Sequence, residues 1–437
     1  LISLGAYLGG SLNFSGGQIG SFFATMGIAS LFMPALVGIV ADRWIPAQKV
    51  LGICHLIAAS FMIAAAFQTT YDTLYPLILC SVMFYMPTIA LSNSVAFNAI
   101  TKSGMDPVKD FPPIRVFGTI GFIVAMWITN LTGNKASAYQ FYIAGVAAIG
   151  LGLYAFSLPK CKPQNLTKEN ASFMELMGLE SFKLFANYKM ALFFIFSMFL
   201  GAALQLTNAY GDVFLDEFKH FPKYADSFVV KYSTIIMSIS QISETLFILA
   251  IPFFLKRFGI KQVMLISMLA WVLRFGLFAF GDPVNGLWMI ILSCVVYGMA
   301  FDFFNISGSL FVETNTDSKN RSSAQGLFMM MTNGIGAILG SFTSGWAIDQ
   351  FFTKSFTSTT DLAGFLQTEV TNPKMMEFIG AQGKQVTADG LLDSALLMKD
   401  WHQIWLAFAI YSLIIAIAFA VLFKHEHHPL DVENASH

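Results

Sequence analysis

Charge is what this 437-residue chain has least of: Asp, Glu, Lys and Arg together make up 12% of it. An ordinary soluble domain carries roughly 25%, so a water-soluble enzyme of this length is excluded for want of polar surface. Disorder is excluded from the other side. It needs little hydrophobicity and much charge, whereas 56% of these residues are hydrophobic. There is no basic surplus either, the formal net charge being −1. That argues against nucleic acid as a partner, because phosphate recognition rests on clustered Lys and Arg. Four cysteines make no disulfide framework: Cys54, Cys80 and Cys294 lie inside apolar runs as small hydrophobes, and Cys161 lies in a polar stretch. Metal-ligand spacing is missing, and His425, His427 and His428 read as a solvated tail. With no Gly-rich phosphate loop and no hydrolase elbow, neither an ATP-driven pump nor an enzyme is expected, and no metal or organic cofactor.

What is present is apolar sequence in lengths that suit a bilayer. A spanning helix takes about 20 mostly apolar residues, and such runs occur near 17–41, 47–67, 74–98, 113–132, 138–158, 188–209, 228–254, 260–280, 285–311, 324–350 and 402–423. Residues 1–12 (LISLGAYLGGSL) look like the tail of one more helix. No Met opens the chain and no secretory signal with a basic start precedes these runs. The expectation is therefore an all-α membrane protein of twelve transmembrane helices, the first truncated.

Lys and Arg set the orientation. Arg43, Lys49, Lys102, Lys109, Lys160, Lys162, Lys168, Lys183, Lys189, Lys256, Arg257, Lys261, Lys319, Arg321 and Lys424 fall on one side of the membrane if these spans are right. The short loops opposite hold only Lys135, Lys219, Lys223 and Lys231. The long 351–399 loop adds four lysines, but long loops weigh little in this rule. Both termini and the central stretch are expected in the cytoplasm, and 351–399 outside.

That central stretch, 159–187, is the one long polar interruption before residue 350. It divides the chain into an N-terminal six-helix half (1–158) and a C-terminal half (188–437). The layout resembles the major facilitator superfamily, whose two six-helix halves enclose a midplane site. Gly38-Ile-Val-Ala-Asp42-Arg43 after the second helix is similar to that superfamily's G-x-x-x-D-R loop. Lys256-Arg257-Phe258-Gly259-Ile260-Lys261 is similar to its degenerate partner in the second half. Positive-inside anchoring alone would explain the basic residues there, but not the Gly and Asp.

Polar groups inside the spans point to a site, because Arg, Lys or Asp at a helix centre costs about 2.5–3.5 kcal/mol on insertion scales. In the fifth helix Arg115, Thr119 and Phe122 follow i, i+4, i+7 spacing and share a face. The competing reading of Arg115 is a guanidinium snorkelling to the interface. Gln205 and Asn208 share a face of the seventh helix, and Gln241 and Glu244 a face of the eighth. The carboxamides could serve as interhelical glue, worth ~0.6 kcal/mol on average, but glue does not require the charge of Glu244. In the tenth helix Tyr297, Phe301, Asp302 and Asn305 stand in YGMAFDFFNISGS, with Asp302 near mid-span. Arg274 of the ninth helix is expected to serve as a counter-ion to Glu244 or Asp302 rather than as a ligand. The Gly and Ser of 334–345 are expected to permit close helix contact.

Carboxylates and amides suit vicinal hydroxyls, and amides with aromatic plates suit a heterocyclic base. A single Arg does not suit a polyphosphate. The residues alone point to a polar, uncharged, ring-containing solute, with nucleosides and glycosides both open.

Longer stretches narrow this. FMPALVGIVADRW (32–44), DFPPIRVFGTIGF (110–122), FFIFSMFLGAALQLTN (193–208), TIIMSISQISETLFIL (234–249) and YGMAFDFFNISGSLFVE (297–313) resemble the bacterial nucleoside:proton symporters, the nucleoside permeases of the major facilitator superfamily. The resemblance runs to about residue 350 and resumes near 400, and 351–398 looks longer than the family's usual exofacial loop. It implies proton-coupled import of purine and pyrimidine nucleosides across the bacterial inner membrane by alternating access. Its ligand residues then fall on Arg115, Thr119, Phe122, Gln205, Asn208, Gln241, Glu244, Tyr297, Phe301 and Asp302, with Asn305 beside them. Asp302, or otherwise Glu244, is expected to carry the coupling proton. The partners implied are a nucleoside, protons and membrane lipid, with the chain acting as a monomer. A sugar or glycoside symporter of the same fold is the alternative, and a non-transporting nucleoside receptor a more distant one.

Overall fold

The computed structural model describes residues 3–105, 107–161, 163, 179–316 and 321–425. The side chains of Asp42, 107–113, Arg115, 179–181 and 321–323 lie outside that description, as do Lys162, Lys168, Lys319, His427 and His428. Among the described residues the expected spans appear as helices: α1 (Leu4–Gly10), α2 (Gly16–Arg43), α3 (Ala47–Ala65), α4 (Tyr71–Lys102), α5 (Pro107–Leu131) and α6 (Tyr139–Ala155). After residue 187 follow α7 (Tyr188–Glu217), α8 (233–258), α9 (260–280), α10 (Leu287–Asn315), α11 (321–352) and α12 (Trp401–Leu422). Large side chains such as Leu249, Val421, Trp346 and Ile414 are exposed around the outside. For a helical membrane protein this apolar exterior is what lipid solvates.

Local chemistry explains the boundaries. Ser15 and Gln18 form a reciprocal capping box at the start of α2. Asn187 caps α7, and Asp400 caps α12. Helical geometry runs from Ser233 to Phe280 except at Gly259, where φ is 76° and ψ is 171°. Only glycine adopts that backbone readily, so the Lys-Arg-Phe-Gly-Ile-Lys segment turns between α8 and α9. The interior of α11 contains two π-helical stretches, Met330–Gly336 and Ile348–Phe352.

Two groups of helices pack mainly among themselves. In the first, α3 lies against α4 and α6, and α2 against α4. In the second, α8 and α9 pack on α10, α9 on α12, and α7 on α11 and α12. The groups meet through α1 on α7, α2 on α11, and α5 on α8. Small residues of 334–345 permit this closeness on both flanks. A methyl group added to Gly340 would fall 2.5 Å from the Ala202 Cα of α7, and one on Gly345 would fall 2.7 Å from the Gly16 carbonyl of α2.

The 353–399 segment is folded. Strands β1 (Thr353–Ser358) and β2 (Leu391–Lys399) pair antiparallel, and helices Thr359–Leu366 and Pro373–Ala381 cover a small core of Phe356, Leu362, Leu366, Met375, Ile379 and Leu396. β1 continues directly from α11 and β2 leads into α12. The cap is anchored on the end of α7: Glu217 accepts from Lys399 Nζ at 2.5 Å and Trp401 Nε1 at 2.7 Å. His220 stacks on Phe378 at 4.4 Å. As a label for position only, the end of the bundle that carries this cap is the outer end.

Candidate functional site

The second group of helices builds most of the candidate site. α8 and α10 touch at Gly298, where an added methyl group would lie 2.6 Å from the Ser243 carbonyl. Ser243 Oγ donates to the Val295 carbonyl at the same crossing. The contact needs a residue without a side chain, and it brings Gln241 and Glu244 against Tyr297. Gln241, Glu244, Arg274 and Asp302 all lie close enough to Tyr297 to act on it electrostatically. One turn on, Phe301 stacks with Tyr297 at 5.9 Å and an interplanar angle of 10°. Tyr297 and Asp302 are buried, while Phe301, Asn305, Gln241 and Glu244 are half-buried. A flat aromatic pair thus sits beside a carboxamide and carboxylates, which is a platform for a ring and acceptors for hydroxyl or amine groups.

On α7, Gln205 is buried and Asn208 half-buried. The Gln205 Oε1 is enclosed without a hydrogen-bond partner. A buried acceptor left open in this way is costly unless something supplies the donor. α5 belongs to the other group: Thr119 is half-buried and Phe122 is 40% exposed. Methyl groups at Gly118 and Gly121 of the same helix would meet nothing within 4 Å. Arg115 belongs to α5, but its side chain lies outside the described residues.

Arg274 departs from its expected role as counter-ion. Among the described residues no ion pair joins it to Glu244 or Asp302. Instead Nε donates to Thr207 Oγ1 at 3.2 Å, Nη1 donates to the Ser293 carbonyl at 2.6 Å, and the guanidinium carbon lies 4.7 Å from the Tyr297 ring centre. Carbonyl, hydroxyl and ring faces, rather than a carboxylate, offset its charge.

The outer end holds a second constellation, which the sequence reading missed. Lys135, in the turn between α5 and α6, reaches across to the other group of helices. Its Nζ pairs with Asp216 at 2.8 Å and donates to Ser233 Oγ at 2.9 Å and to the Val230 carbonyl. Asp216 also pairs with Lys219 at 2.6 Å. Beside it Asp212 is 1% exposed and accepts from Thr234. The reverse crossing is made by Asp349 of α11, whose two oxygens accept from the Gly16 and Gly17 N–H groups at 2.7 Å each. A carboxylate at a helix N-terminus satisfies donors that the helix leaves open. Asn130 adds bonds to the Lys231 carbonyl and the Ile235 N–H, Trp127 donates to Ser238, and Tyr210 donates to the Gly16 carbonyl. The acidic i, i+4 pair in YGDVFLDE, opposite a lone Lys135, was the available signal. It lies just beyond the apolar run that ends at 209.

These bonds are all at one end. The bonds named here between 3–161 and 179–425 lie in this outer layer. α2 and α11 run antiparallel, with Gly16, Gly20 and Gly27 meeting Gly345, Ser341 and Gly334. Continued inward, that register sets Gly38 opposite residue 323, and a methyl group added at Gly38, or at Gly326 about a turn away, would meet no atom within 4 Å. The two groups of helices are closed at the outer end and parted toward the other, and the open side includes the Thr119–Phe122 face.

Comparison with known proteins finds relatives along the whole chain. The family model described as nucleoside H+ symporter matches residues 1–428. The xanthosine permease of Escherichia coli (strain K12) is 46% identical over 435 residues, covering 99% of this chain and 94% of that protein. The nucleoside permease NupG of the same organism is 45% identical over 440 residues, covering 100% of this chain and 95% of its own. A crystal structure of a NupG mutant superposes with a TM-score of 0.84 at 45% identity, over 97% of this chain and 95% of that one.

Proposed function

The chain belongs to the nucleoside H+ symporter family, and on that premise we propose how its two groups of helices carry a nucleoside inward with a proton. It is a multi-pass permease of the inner membrane that imports nucleosides by proton symport. The two groups correspond to halves 1–158 and 188–437, joined by the 159–187 stretch. Both termini and that stretch face the cytoplasm, in keeping with the Lys and Arg distribution, so the 353–399 cap lies outside and the cleft opens inward. The chain acts as a monomer in lipid and needs no cofactor beyond the coupling proton.

The observation that carries the site assignment is the Tyr297–Phe301 stack with Gln241 and Glu244 packed against it through Gly298. The base lies on the aromatic pair, and Phe122 closes over it from α5. Gln241 and Glu244 take the ribose hydroxyls, which bind well to a carboxylate and an amide. The open acceptor of Gln205 and the neighbouring Asn208 read the edge of the base. Arg115 and Thr119 complete the site from the first half, and Asn305 lines it below Asp302.

Asp302 carries the proton. It takes a proton when the site is open outward and releases it when the site is open inward. One charge moved across 100 mV gains about 2.3 kcal/mol, enough for roughly 50-fold accumulation by the tenfold-per-1.4 kcal/mol rule. Alternation requires the outer layer to part, which means that Lys135 leaves Asp216 and Asp349 leaves the α2 N-terminus. The test is uptake of labelled uridine into proteoliposomes with an imposed pH gradient and competition by nucleosides and by sugars. Inhibition by nucleosides alone supports the reading. Inhibition by sugars at equal concentration would transfer it to a glycoside symporter.

A further inference from the structure

Arg274 is the fully buried cation of α9, a helix that supplies none of the proposed ligand groups. Its side chain nevertheless touches three helices that do. Nε donates to Thr207 of α7, Nη1 to the Ser293 carbonyl of α10, and Nη1 also lies 3.5 Å from Ser240 Oγ of α8. Ser293 Oγ returns a bond to the Arg274 carbonyl at 2.9 Å. Each contact is next to a ligand position in sequence or one turn away: Thr207 precedes Asn208, Ser240 precedes Gln241, and Ser293 stands four residues before Tyr297. The guanidinium carbon also lies 4.7 Å from the centre of the Tyr297 ring, on a residue that is itself stacked on Phe301.

A structural strut in a bilayer has no need of a permanent charge, since Met or Leu would fill the same volume without the cost of desolvation. What an apolar residue cannot do is donate in three directions from one plane and hold an aromatic face by its quadrupole. We propose that Arg274 is a positioning residue for nucleoside recognition: it fixes the Tyr297 ring in the stacking plane and sets the mutual register of α7, α8 and α10 at the level of the site. This rests on the assignment of Tyr297 and its neighbours as the nucleoside site, and the experiment separates the two.

Uridine affinity is measured by calorimetry in detergent for wild type, Arg274→Met, Arg274→Lys, Tyr297→Leu and the Arg274→Met/Tyr297→Leu double variant, with melting curves as a check on folding. If wild type binds no uridine, the functional reading fails. If wild type binds, Arg274→Met should raise Kd at least tenfold, and Arg274→Lys, which keeps charge but not the planar fork, should fall between the two. In the Tyr297→Leu background the same Met substitution should cost less than in wild type, because the share that acts through the ring is gone and only the share through helix register is left. A Kd for Arg274→Met within twofold of wild type, or an unchanged tenfold penalty without Tyr297, would overturn the proposal. Should Arg274→Met not fold, Arg274→Lys decides it in uptake: a tenfold rise in KM at near-normal maximal rate supports positioning, and a KM within twofold of wild type refutes it.

Discussion

Replacing Lys135 with Met removes the strongest described link between the halves. The lost contacts are the 2.8 Å ion pair with Asp216, in which the two side chains are 13% and 4% exposed, and the bonds to Ser233 Oγ and the Val230 carbonyl. Breaking one side of a buried pair typically costs about 3–5 kcal/mol. Asp216 keeps Lys219 at 2.6 Å, so roughly half that cost, ~2 kcal/mol, is a reasonable expectation here. The loss falls on the closed outer layer alone, because the bonds are broken anyway when that layer opens. A 2 kcal/mol bias is about 30-fold in an equilibrium constant, so an outward-open state held at about 1% would rise to roughly 25%. Spin labels at Tyr139→Cys and Lys223→Cys, both exposed at the outer end, report the separation by pulsed dipolar spectroscopy once Cys80 is replaced by Ser. The Met variant should show a new, longer distance population, and Lys135→Arg should largely remove it. A distance distribution identical to wild type, in a variant that still binds uridine, would refute the latch.

Asp349→Ala strips the two acceptors from the α2 N-terminus; at about 1 kcal/mol for a lost cap, the same labels should show a shift of roughly fivefold, smaller than that of Lys135→Met. Gln241→Ala with Glu244→Ala should weaken uridine binding by about 100-fold, the sum of one neutral and one charge-assisted hydrogen bond at ~3 kcal/mol, and wild-type affinity by calorimetry would remove both residues from the site. Gly298→Val places a side chain within 2.6 Å of the Ser243 backbone. It should abolish uptake while circular dichroism still reports a helical protein, and normal uptake would show that the α8–α10 crossing does not hold the site together.

The spans were legible because the bilayer imposes one length and one polarity on them: runs such as 260–280 and 402–423 reappear almost residue for residue as α9 and Trp401–Leu422. The positive-φ turn at Gly259 was foreshadowed by the Lys-Arg-Phe-Gly motif. Periodicity also placed Gln205 with Asn208 and Gln241 with Glu244, because helical faces are local. What it could not give was which faces meet. That depends on long-range contacts such as Gly298 against Ser243, and on the choice by Arg274 of Thr207, Ser293 and Tyr297 over a carboxylate. The outer layer escaped because Asp212 and Asp216 look like ordinary polar ends of a span until Lys135 is brought to them from 77 and 81 residues away. The cap was hidden for a similar reason: the core of Phe356, Leu362 and Leu396 is assembled from short pieces that carry no membrane signal.

The central claim is that a buried carboxylate in α10 couples nucleoside entry to a proton. Its most direct test is uridine accumulation in proteoliposomes driven by an inward pH gradient, with Asp302→Asn beside wild type. Wild type should concentrate uridine, and the Asn variant should exchange it downhill without accumulation. An Asp302→Asn protein that still concentrates uridine at the expense of the pH gradient would contradict the account.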